Sequence, residues 1–225
     1  FRSNRRRFLT AFAALSASLA ARADNPFALP ENSGALPEQS AKPDIVKPYL
    51  AVGPYADDQS RVFMFMSYEC PYCEQTWYGM GEWGRTLPEP FRFVYVPLYT
   101  GNKRLDAAAT GFYIVRSLAP QRIAEYQRLA FEAAKTARSS ADFAQVLHRM
   151  GFSRSQIAAA AADKQTQNRI ARAMLLVRRY RVTATPFFAV GGRYTTHAGF
   201  TGGDYRVLVQ LMNGLVSDVL QSTRR

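Results

Sequence analysis

Cys70-Pro71-Tyr72-Cys73 carries the most specific chemical signal in the chain, and these are its only two cysteines. Disulfide exchange needs one thiol that attacks as thiolate and a second within reach to resolve the mixed disulfide. The apolar run Val62 to Met66 reads as a strand, and the cysteine pair that follows it opens a helix. A thiol at a helix N-terminus is stabilised as thiolate by unpaired backbone N–H groups and the helix dipole. Pro71 suits the first helical turn, where its missing N–H costs nothing. Cys70 is therefore the expected nucleophile and Cys73 the more buried resolving thiol, with Pro71, Tyr72 and Glu69 beside them to tune the site. Glu69 works against the rest: a carboxylate turned toward Cys70 would raise its pKa.

Other chemistries fit the same residues less well. A structural zinc site needs about four ligands, and beyond the two cysteines the chain offers only His148 and His197. No metal is therefore expected. A disulfide across so short a loop would contribute little entropy, so a purely structural bridge is disfavoured. No Gly-rich phosphate loop follows a strand in a dinucleotide context, so no flavin or nicotinamide cofactor is expected. His148 and His197 need no function, and Trp77, Tyr78 and Trp83 read as core or groove wall.

The elements that must position the pair are legible in order. A strand over 61–66 and the helix from Cys70 toward Trp83, weakened at Gly79, Gly81 and Gly84, lead to a second strand over 91–98, a βαβ unit. From Asp106 to about Tyr180 the pattern is helical: Ala107 to Leu118, Gln121 to Ala137, a helix capped by Ser140, one with a Ser153/Gln156 capping box, and Gln167 to Tyr180 with Ile170, Met174 and Val177 on one stripe. Strand signals return at Ala184 to Val190, and the Gly191-Gly192 turn makes a hairpin with Arg193 to His197. Tyr205 to Leu220 closes the chain as an amphipathic helix. The fold class is α/β, with order βαβ, helical insertion (about 105–180), ββα.

The N-terminal residues read as a targeting segment. Arg2, Arg5, Arg6 and Arg7 precede a mildly apolar run, and Ala21-Arg22-Ala23 offers a small-x-small cleavage site, so residues 1–23 are expected to be a cleaved signal. Arg5-Arg6-Arg7-Phe8-Leu9 resembles a twin-arginine motif. The apolar run is shorter than the ~20 residues of a spanning helix. Residues 24–60, rich in Pro, form an extended arm with a short edge strand in Ile45 to Val52; the arm is too short for a separate dimerisation domain, and a monomer is expected. The formal charge is +12, or +7 without the arginines of the signal. Those that remain are scattered along helices rather than gathered with aromatics, so no nucleic-acid partner is expected.

Cys70-Pro71-Tyr72-Cys73 after an apolar strand, with Thr185-Pro186 before a late strand and a helical insertion between, resembles the DsbA family of the thioredoxin superfamily from Arg61 to the C-terminus. The resemblance implies a thioredoxin fold with an inserted helical subdomain and a periplasmic thiol–disulfide oxidoreductase. Its substrates would be unfolded or exported proteins, with a membrane redox partner. It also implies that Pro186 is a cis-proline facing the site and that Thr185 offers its backbone to a bound substrate strand. Two residues depart from the pattern. Tyr72 stands where DsbA has His, which implies a weaker oxidant, and Thr185 stands where DsbA has Val. Both resemble DsbG, and Thr185 also DsbC. A dithiol oxidase is the first expectation. A disulfide isomerase or reductase kept reduced is the second, and a chaperone-like binding factor without turnover the third.

Overall fold

The computed structural model describes residues 47–223; the expected signal segment and most of the arm lie outside the described residues. Five strands form one sheet in the order β1-β5-β4-β2-β3. They are β1 (Leu50–Ala51), β2 (Arg61–Met66), β3 (Arg92–Pro97), β4 (Phe187–Val190) and β5 (Tyr194–His197). β2 runs parallel to β3 and antiparallel to β4, pairing Phe63 with Val94 on one side and with Ala189 on the other. Apart from Arg61, every residue of β2 and β4 is buried, as unbroken apolar runs in interior strands require. The hairpin turn places Gly191 and Gly192 both at positive φ, the conformation of a two-residue primed turn.

Seven α-helices are assigned among the described residues: α1 (Pro71–Arg85), α2 (Lys103–Leu118), α3 (Ile123–Ala134), α4 (Ser140–Arg149), α5 (Arg154–Ala162), α6 (Lys164–Arg179) and α7 (Tyr205–Thr223). The insertion is α2 to α6, with α2 at its centre against α3, α4, α5 and α6. One continuous cluster of buried side chains runs from the sheet through these helices, so the insertion shares the sheet's core. Phe63 and Phe65 pack on Tyr180 at the end of α6, while α1 and α7 are joined by Trp83 Nε1 donating to Asn213 Oδ1 at 2.9 Å.

Three local features go beyond the expectations. Helix α1 reaches Trp83 as expected and continues to Arg85. A Cβ at Gly81 would lie 2.2 Å from the Tyr95 hydroxyl and one at Gly84 2.5 Å from Phe93, so the glycines let α1 settle onto the aromatic face of β3. The cap of α4 is Ser139, one residue earlier than expected, with Asp142 completing its capping box. On α6 the buried residues are Thr166, Ala173 and Leu176, while Met174 is 44% exposed. Ile170 and Val177 pack against the core as expected, and of that stripe only Met174 falls outside the inward face, which turns toward α2 and α5.

The arm enters the sheet by its backbone. Leu50 and Ala51 pair with β5, Val52 N donates to Arg193 O at 2.7 Å, and Thr196 Oγ1 donates to Pro48 O at 2.9 Å. Asp58, fully buried in the 3₁₀ turn before β2, accepts from Arg172 Nη2, Arg179 Nη1 and the Tyr180 hydroxyl at 2.7, 2.7 and 2.8 Å.

Candidate active site

β2 ends at Met66 and the chain turns through Ser67 and Tyr68 to Cys70, which is the N-cap of α1. A capping side chain must accept from an early N–H of its helix. Cys70 does this with sulfur: its Sγ accepts from Cys73 N at 3.3 Å. Pro71 occupies the first turn, as its missing donor allows. The cap thus places a thiol where the free N–H groups of α1 converge.

Both cysteines are thiols in this structure. Cys73 is fully buried and Cys70 half-buried. The Cys70 pKa is lowered from 9.0 to about 5. The largest cause is the hydrogen bond from the Cys73 thiol; burial opposes it; the Thr185 side chain and the backbone N–H groups of Cys73 and Tyr72 add to the lowering. Cys73 is pushed far the other way, first by that same hydrogen bond, which it donates, and then by burial. One proton is therefore held on Cys73 while the charge rests on Cys70, the partition a nucleophile and its resolving partner require.

Thr185 reaches the pair from the far end of the chain. Its carbonyl oxygen lies 3.2 Å from Cys70 Sγ and accepts from the thiol when Cys70 is protonated. The Thr185–Pro186 peptide is cis, and β4 begins at the next residue. The structure thus brings together Cys70, Pro71, Cys73 and Thr185-Pro186. The Tyr72 side chain is 61% exposed and supplies only its N–H to the sulfur. Glu69 forms an ion pair with Arg104 at the start of α2, so its charge is answered by a cation of the insertion, and the expected rise in the Cys70 pKa does not occur.

Reasoning on the sequence missed Arg104, Lys135 and Tyr205. Lys135, at the end of α3, pairs with Glu74 at 2.7 Å. Between them Tyr68, Pro71, Phe131 and Ala134 line a groove of about 500 Å³ that opens on Cys70. Tyr205, the first residue of α7, feels the charge of both cysteines, although burial is the first cause of its raised pKa. None of the three lies near a motif in sequence; each is brought in by a separate element.

The linkage has a definite sign. Because the Cys70 pKa is depressed in the folded, reduced protein, thiolate formation contributes stability above the ordinary thiol range of about 8.5. That contribution is lost as pH falls through about 5. A titration of the reduced protein followed by thiolate absorbance is expected to show a single group with a midpoint near pH 5. The oxidised protein should show none, and a midpoint in the ordinary range would contradict the arrangement.

Comparison with known proteins agrees with this geometry. The family of DSBA-like thioredoxin domains matches residues 80–210. The chain is 24% identical over 159 residues to the thiol:disulfide interchange protein DsbA of Bordetella parapertussis, covering 69% of this chain and 74% of that protein. Its counterpart in Bordetella pertussis is 23% identical over the same length. Among solved structures, Pseudomonas aeruginosa DsbA superposes with a TM-score of 0.68 at 19% identity, covering 79% of this chain and 95% of that one. A Proteus mirabilis DsbA with a non-covalently bound peptide superposes at 0.66 and 15% identity, covering 76% and 97%. The family match begins beyond Cys73 and takes in the insertion, the cis-proline and β4, so it stands independently of the cysteine pair. On the match across more than half its length, the chain belongs to the DSBA-like thioredoxin domain family.

Proposed function

We propose that this chain is a periplasmic protein disulfide oxidoreductase that oxidises dithiols in unfolded or exported proteins. The observation that carries the reading is the stabilised Cys70 thiolate at the start of α1 beside a protonated, buried Cys73. In the oxidised enzyme a substrate thiolate attacks Cys70 Sγ, forming a mixed disulfide and releasing Cys73, which takes up a proton. A second substrate thiolate attacks the substrate sulfur of that mixed disulfide and expels Cys70 as thiolate. Two electrons pass from substrate to enzyme, and the substrate gains a disulfide. A low leaving-group pKa speeds the second step and stabilises the reduced enzyme, which makes the pair oxidising.

Tyr72 in place of a histidine does not remove this drive, because the groups that lower the Cys70 pKa are Cys73, Thr185 and backbone N–H donors. Thr185 and cis-Pro186 would align an extended substrate chain beside Cys70, and the exposed Tyr72 ring would border it. Relatives named for disulfide interchange and one bound to a peptide support that role. Residues 1–23 would direct export, with the twin-arginine-like motif as the route. A membrane partner would reoxidise the enzyme, which would act as a monomer. No helix among the described residues is long and apolar enough to cross a membrane.

The DsbG-like dipeptide Pro71-Tyr72 and Thr185 favour a second reading, an isomerase or reductase kept in the dithiol form. Redox equilibration with glutathione separates the two. The expected midpoint lies above about −200 mV, toward the oxidising end of the thioredoxin-fold range; a value near the −270 mV or so of thioredoxin would overturn the oxidase reading.

A further inference from the structure

The unused feature of this fold is a pocket of about 240 Å³ between the sheet and α2 and α6, at the end of β2 opposite Cys70. Arg61, Arg116, Arg169 and Arg172 line it, over walls that include Phe63 and Leu176. Arg172 is matched by Asp58, a carboxylate it shares with Arg179. Among the described residues no carboxylate pairs with Arg61, Arg116 or Arg169. Arg169 donates through Nη2 to Gln165 at 2.9 Å, but its Nη1 is buried with no hydrogen-bond partner. Arg116 is half-buried, and its pKa is lowered by burial first and then by the charge of Arg169, with Arg61 contributing as well.

Surface arginines ordinarily spread into solvent or pair, because a buried guanidinium without a counterion is costly. Here like charges instead converge on a cavity with an apolar floor. Guanidinium groups hold phosphate and carboxylate oxygens through paired, charge-assisted hydrogen bonds. We infer that this pocket binds a small amphipathic anion, with Arg61, Arg116 and Arg169 around its phosphate or carboxylate group and its apolar body on Phe63 and Leu176. Because the pocket is built from β2, β3, α2 and α6, the ligand ties the helical insertion to the sheet.

The test uses the full chain at constant ionic strength, with thermal unfolding read against phenyl phosphate, inorganic phosphate and chloride. Phenyl phosphate is expected to raise Tm saturably by about 3 °C or more, inorganic phosphate by less and chloride not at all. The double variant Arg116→Gln/Arg169→Gln should weaken phenyl phosphate binding at least about 10-fold. Arg61→Gln, at an exposed position, should weaken it as well. Absence of a saturable shift, or one left unchanged in the variants, would overturn the inference. So would sedimentation with phosphatidylglycerol vesicles, but not phosphatidylcholine, in the absence of any response to phenyl phosphate.

Discussion

Replacing Cys70 with Ser is expected to abolish dithiol oxidation, with a loss of at least about 10³-fold in the rate of substrate disulfide formation. A hydroxyl cannot form the disulfide that stores the oxidising equivalents, nor can it leave as a low-pKa anion. Below about pH 5, where Cys70 of the parent is protonated, stability should scarcely change, whereas at neutral pH the reduced variant lacks the stability that the thiolate contributes. Cys70 is half-buried and serves α1 as its N-cap, a position at which Ser is among the best residues. Cys73→Ser gives a different phenotype. Its Cys70 thiolate still attacks a substrate disulfide, forming a mixed disulfide and releasing one substrate thiolate, but Cys73 is absent to displace the substrate, and covalent complexes should build up visibly on non-reducing gels. An oxidation rate in Cys70→Ser within tenfold of the parent would remove Cys70 from the mechanism. If suppression of aggregation and the cellular phenotype both survived the substitution, the chaperone-like reading would take its place.

The second large effect falls on stability, at the end of β2 away from the cysteines. Asp58→Ala is expected to cost about 3 kcal/mol, at the lower edge of the range for breaking a buried charge network because its arginines are partly exposed. The carboxylate is fully buried and is the shared acceptor of Arg172, Arg179 and the Tyr180 hydroxyl. Without it a buried phenol loses its partner and two guanidiniums face each other unneutralised. For a domain of this size the fall in Tm would be roughly 6–12 °C. Asp58 and Cys70 sit at opposite ends of a six-residue strand, about 20 Å apart at strand rise, so the thiolate titration and the redox midpoint should not move. Denaturant unfolding of the two proteins checks the first part and redox equilibration the second. A loss below about 1 kcal/mol would mean that the network is balanced by its own desolvation.

The two predictions differ in where their residues could be found. Cys70 is legible because its chemistry is local: two thiols, a proline and a helix start lie within four positions of one another. The capping box at Ser153 and Gln156 is legible for the same reason, and the helical insertion follows from apolar periodicity that each helix carries within itself. Asp58 is not legible. It stands in a proline-rich arm among other polar residues, and its partners Arg172 and Arg179 are more than a hundred positions away. The exposure of Met174 on α6 belongs with it, since Met174 and Leu175 are more apolar than the Ala173 that is buried.

From residue types and spacing alone came the redox pair, the order of strands and helices, and Thr185-Pro186 as a second motif whose meaning rested on resemblance. Only the tertiary structure brought the Thr185 carbonyl to 3.2 Å from Cys70 Sγ, turned Glu69 onto Arg104 instead of the thiol, and gathered arginines from β2, α2 and α6 around one cavity. The physical reason is common to all three. Secondary structure and caps answer to neighbours a few residues away, whereas the charge a group feels depends on whatever the packed core brings within a few ångströms, and that contact carries no local signature in the chain.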